Sequence, residues 1–132
     1  MSEPERHARV GYWLGLARED LEAARTLCAD ARIPSRIPAY LAQQAAEKAL
    51  KAGVAAAGVE PPRTHDLDRL ARRQSAFMLL VSIDDLLALV DAHIQGRYPD
   101  DPALSYGSDE ASTLIDIAAA VVATAVTALA GG

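Results

Sequence analysis

The sequence predicts an all-helical bundle, and three observations carry that expectation. Of the residues, 51% are hydrophobic but only 5% aromatic, which places the apolar content in Ala, Leu and Val rather than in the aromatics that favour strands. Apolar residues recur at steps of three and four, the period of a helix with one buried face. Proline and glycine gather in a few short stretches, so the chain divides into segments of helix length. At 132 residues it forms one domain over 1–132, long enough to bury roughly two-thirds of its unfolded surface without staples.

The first predicted helix runs over roughly 5–30, where Val10, Leu14, Ala17, Leu21, Ala24 and Cys28 alternate steps of four and three, the pattern of a helix against an antiparallel neighbour. "RIPSRIP" breaks it, since Pro34 and Pro38 bias their predecessors away from helical dihedrals. Ser35 then caps a second helix that carries Pro38 in its first turn and ends near Ala57, with Gly58 as a left-handed cap. Thr64 caps a third, with Asp66 and Asp68 in the turn where the dipole favours negative charge. Ser82 before Asp84 and Asp85 starts a fourth, which Gly96 closes. After the turn-rich loop "RYPDDPALSYGSDE", Ser108 caps a last helix over about 109–130. That helix is apolar most of the way round, yet its Ala and Thr content and Asp116 favour a central core or subunit-contact helix over a membrane span.

Net charge is −5, unevenly spread. Residues 1–74 carry 12 Lys/Arg against 10 Asp/Glu, and residues 75–132 carry 1 against 8. Such a chain has no global basic footprint for nucleic acid, although a local basic seam on its first half leaves that partner open. The single cysteine, Cys28, has no internal disulfide partner and reads as a buried thiol. The start "MSEPERHARVGYW" lacks the basic-then-apolar order of a signal peptide, which predicts a cytoplasmic protein. No Gly-rich phosphate loop, zinc spacing or Ser-His-Asp set is present, so neither metal nor cofactor is expected.

The second helix carries the feature that asks for a function. "YLAQQAAEKALKA" puts Gln44, Lys48 and Lys51 on one stripe and Tyr40, Gln44, Glu47 and Lys51 on an overlapping one, between Ala-lined flanks. Read functionally, the lysines meet phosphate charge and Gln44 hydrogen-bonds a base or ribose. Read structurally, Glu47 and Lys51 form an ordinary i,i+4 pair, and Lys48 lays its stem across the alanines. His65 serves as a helix-start cap or a ligand contact. Arg97, the one basic residue of the last 58, either pairs with Asp100 or Asp101 around the Tyr98 ring or belongs to a site.

"AYLAQQAAEKALKA", the "THDLDRL" start, "DL" at Asp20 and Leu21, and "RYPD" at 97–100 together resemble the HEPN family, named for nucleotide binding in higher eukaryotes and prokaryotes. The likeness covers roughly residues 10–125. It implies a compact up-and-down bundle of four to five helices and a homodimer. It also implies a minimal nucleotidyltransferase as partner in a toxin–antitoxin-like two-protein unit, and a nucleotide as candidate ligand. On this reading Gln44, Lys48, Lys51, His65, Arg97 and Tyr98 are the candidate nucleotide- or partner-binding residues.

Ribonuclease members of the family carry an Arg followed four to six residues later by His. Here His7, His65 and His93 are the only histidines, and none stands in that relation to an Arg. A lone Arg cannot act as a base, because it does not deprotonate. The resemblance therefore implies a non-catalytic module without catalytic residues. The alternative is a ribonuclease toxin using Arg97 with His93, which lies four residues before it.

Overall fold

The computed structural model describes residues 2–63 and 107–129, which hold three helices and no strand: α1 (Glu3–Cys28), α2 (Arg36–Ala56) and α3 (Ser108–Leu129). The helices predicted from Thr64 and Ser82, with His65, His93, Arg97 and Tyr98, lie outside the described residues.

α1 starts two residues earlier than predicted because of a capping box. Ser2 Oγ accepts from the Glu5 N–H at 3.2 Å, and Glu5 Oε2 accepts from the Ser2 N–H at 3.3 Å. Two donors at the open helix end are thereby satisfied, with Pro4 in the first turn and Glu3 and Glu5 placed well for the dipole. The sequence signal was "SEPE", Ser then Glu three residues on. Beyond α1, Arg32 clamps Asp30 through Nε at 3.0 Å, Nη2 at 2.8 Å and its backbone N–H at 2.9 Å. The guanidinium and then the backbone bond hold the Asp30 carboxyl below its ordinary range. This contribution is present above the ordinary carboxylate pKa and is lost as pH falls through the lowered value.

Ser35 does not cap α2 with its side chain, contrary to expectation. Its backbone is itself helical at φ −61°, ψ −23°, whereas a side-chain cap needs an extended residue there. Backbone bonds wind the entry instead: Ile37 N–H to Pro34 O at 3.0 Å and Ala39 N–H to Ser35 O at 3.2 Å. Pro38 falls in the first turn, where its missing N–H leaves no bond unmade. At the far end Gly58 takes φ +82° and its N–H meets Ala55 O at 2.9 Å, the left-handed close that was predicted.

Among the described helices the most deeply buried is α2. Fourteen of its 21 residues are buried, and it packs on both α1 and α3. Its Ala39, Ala42, Ala45, Ala46, Ala49 and Ala52 are wholly inaccessible, and side chains this small let neighbouring helices approach closely. α1 contributes Leu14, Ala17, Leu21 and Ala24, with Val10 and Cys28 half-buried at either end of the stripe.

α3 buries a single face, Ala111, Leu114, Ile115, Ala118, Val121, Val122 and Ala125. Its outer threonines hide their polarity, since Thr113 Oγ1 donates to Asp109 O at 3.0 Å and Thr124 Oγ1 to Ala120 O at 2.8 Å. By length and composition α3 is apolar enough to cross a membrane, and a third of that apolar window is buried, in the face that packs on α2 and α1.

Two glycines test the backbone argument in opposite directions. A Cβ at Gly15, inside α1, would meet nothing within 4 Å, so Gly15→Ala is expected to stabilise by about 0.5–1 kcal/mol. At Gly58 space is equally open but φ is +82°, so Gly58→Ala is expected to destabilise by about 1 kcal/mol. Urea unfolding of both variants checks the signs.

Candidate functional site

The polar stripe of α2 lies along its contact with α1, and it is largely closed. Gln43 is fully buried, Glu47 is 1% exposed and Lys51 is 9% exposed. One helix turn separates each from the next, so three polar groups line up where a simple amphipathic helix would carry Leu or Ile. Sequence reasoning named Gln44 and missed Gln43. The doublet Gln43–Gln44 was the available signal, and helical phase places its first member inward. Gln44 is half-buried and its Nε2 donates to Gln43 Oε1 at 2.6 Å.

Lys51 sits in the interior of the seam. Its Nζ is 3.7 Å from Glu47 Oε1, with the two side chains 11% and 2% exposed, and 5.3 Å from the centre of the Trp13 ring on α1. The ring's negative face and the carboxylate share the ammonium. Tyr12 packs edge-on against Trp13 at 5.4 Å between centroids and 74° between planes. The indole Nε1 of Trp13 is buried without an acceptor among the described residues.

Lys48 differs from Lys51 in depth and in the origin of its partner. Its Nζ bonds Asp20 Oδ2 across the helix pair, with side chains 23% and 21% exposed. The ammonium thus lies at the lip of the seam, within reach of water. Asp20 is the acid of the "DL" pair on α1, and the fold brings it to a lysine 28 positions away. The structure therefore brings Gln44, Lys48 and Lys51 to one seam but does not expose them alike; the other three candidates, His65, Arg97 and Tyr98, lie outside the described residues.

A concavity of about 160 Å³ lies at the end of the bundle, lined by Glu3, Arg6, His7, Val10, Ala56, Ala128 and Leu129. Arg6 Nη1 crosses it to Ala56 O at 3.4 Å, which satisfies one carbonyl at the C-terminus of α2. Nearby, Arg9 Nη1 pairs with Glu60 Oε1 at 2.9 Å and ties the loop after α2 to α1. Among the described residues no three His, Cys, Asp or Glu side chains come together in a way that could hold a metal ion.

A helical domain built on a buried central helix with paired charges along one seam defines the class of this chain. The family model described as HEPN domain matches residues 10–129, and the chain belongs to the HEPN domain family. The crystal structure of an archaeal HEPN homologue is similar, with a TM-score of 0.67 and 26% identity, covering 91% of this chain and 97% of that one. A comparison with curated proteins returns no match.

The seam's energetics can be tested at Lys51. Lys51→Met keeps the stem and removes the charge beside the nearly inaccessible Glu47, and is expected to cost about 3 kcal/mol. Adding Glu47→Gln should recover a large part of that loss. A double-mutant cycle by urea unfolding reads the coupling.

Proposed function

We propose that this HEPN domain is a non-catalytic binding and assembly module. It acts in the cytoplasm as a dimer, docks a minimal nucleotidyltransferase in a toxin–antitoxin-like unit, and takes a nucleotide phosphate at the lip of its seam. The observation that carries the binding part is the position of Lys48: a cation next to Gln44 on α2, balanced by a carboxylate and still within reach of solvent. A phosphate oxygen is the kind of acceptor such an ammonium takes. Lys51 does not serve as the contact in this reading, because its charge is committed to Glu47 and Trp13.

Support for the non-catalytic part comes from the histidines. A nuclease needs a base for the 2′-hydroxyl beside a cation for the phosphorane, and no His of this sequence follows an Arg by four to six residues.

Two measurements test the proposal. In calorimetric titration with ATP, GTP and a recombinant minimal nucleotidyltransferase, Lys48→Gln is expected to weaken nucleotide binding by about 1–3 kcal/mol for the lost charge-assisted contact. Equal binding by wild type and variant would remove Lys48 from the site. Labelled single-stranded RNA is expected to stay intact. Cleavage lost on Arg97→Ala or His93→Ala would install the ribonuclease reading instead.

A further inference from the structure

We infer that the concavity at the end of the bundle is a binding site for a short-chain monocarboxylate, separate from the role proposed for Lys48. It combines a cavity of about 160 Å³ with two basic side chains on its wall, Arg6 and His7. Ala56, which also lines it, is more than two helical turns along α2 from Lys48.

Arg6 and His7 follow one another on α1, and both keep donors free. Arg6 gives Nη1 to Ala56 O at 3.4 Å and Nη2 to Glu3 Oε1. Those two bonds hold the guanidinium in place and leave most of its N–H donors unspent. At 34% exposed, the side chain is open to a ligand. His7 is exposed and has no hydrogen bond or ion pair with any described residue. A carboxylate is the acceptor that matches this pair, since its two oxygens suit the fork of a guanidinium and an imidazole N–H supplies a further donor. Arg6 also offsets the negative end of α2, whose last turn carries no basic residue of its own, and so removes a repulsion that an anion would meet. Glu3 is the acid of the lining, and it engages Arg6 through Nη2. The ligand therefore binds beside that pair and does not replace it.

The rest of the lining sets the other half of the ligand. Val10 from α1 and Ala128 and Leu129 from α3 are apolar, and they match a short aliphatic tail, which leaves water on binding. Size limits its length. A cavity of about 150 Å³ holds a benzene molecule, about six non-hydrogen atoms, and butyrate has the same number. Acetate reaches the donors but leaves the apolar wall uncovered, and a nucleotide is far too large.

The experiment is titration of the ¹⁵N-labelled protein with butyrate, acetate and butylamine, followed by amide chemical shifts. Butyrate is expected to shift the signals of residues 3–10 and 128–129 saturably, with a Kd of about 1 mM, the range open to so small a ligand. Acetate should bind about tenfold more weakly, and butylamine should leave these signals unmoved. His7→Ala is expected to weaken butyrate about fivefold, the loss of one hydrogen bond, and Ala128→Met, which fills the concavity, should abolish binding. Shifts that do not saturate, or that persist unchanged in Ala128→Met, overturn the site. An equal response to butylamine overturns the carboxylate as its ligand. Both substituted residues are exposed, so neither variant takes packing from the core, and circular dichroism checks that each is folded. Ala128→Gln repeats the filling should the Met variant unfold. None of these outcomes bears on Lys48, whose role is tested with ATP and GTP.

Discussion

The deep burial of α2, with fourteen of its 21 residues inside, is the constraint that the rest of the described structure answers to. A helix enclosed by neighbours must leave them room and must satisfy every polar group it takes inside. The alanines do the first, letting α1 and α3 close on the α2 backbone with Leu50, Val54, Leu14 and Leu114 filling the gaps. The second is met in large part along one seam. Glu47 and Lys51 partner each other there, while α1 supplies the Trp13 ring and the Asp20 carboxylate. Breaking one charge of such a pair costs more than never having buried it, because the remaining charge has lost its water. α1 and α2 are therefore fixed in register by electrostatics as well as by packing.

That arrangement changes what the lysines of α2 are able to do. A stripe of Gln and Lys on an Ala-rich helix invites the idea of an open phosphate cleft, but depth divides the stripe. Lys51 works inside the fold and Lys48 at its edge. The binding role proposed above therefore falls to the single ammonium near water, Lys48, and not to Lys51.

Much of the architecture was legible in the sequence. The Val10 to Cys28 stripe, the break at "RIPSRIP" and the Gly58 close depend on local sterics and hydrophobic period, which neighbouring residues encode almost alone. The cap of α1 was equally local, in Ser2 and Glu5, but the predicted start rested on the later apolar pattern alone. Ser35 was misread because the same residue type suits an extended cap and a helical turn. The choice was made by backbone bonds from Ile37 and Ala39.

The site was legible only in part, for a physical reason. Sequence by itself determined the helical class, the family and the presence of a polar stripe on the second helix, since these follow from composition, period and motif. Tertiary structure decided which described helix lies deepest, which glutamine turns inward and which lysine remains near water. Burial and ion pairing are set by what arrives from elsewhere in the chain. The Asp20 carboxylate reaches Lys48 from 28 positions away, and no spacing rule within α2 could have announced it.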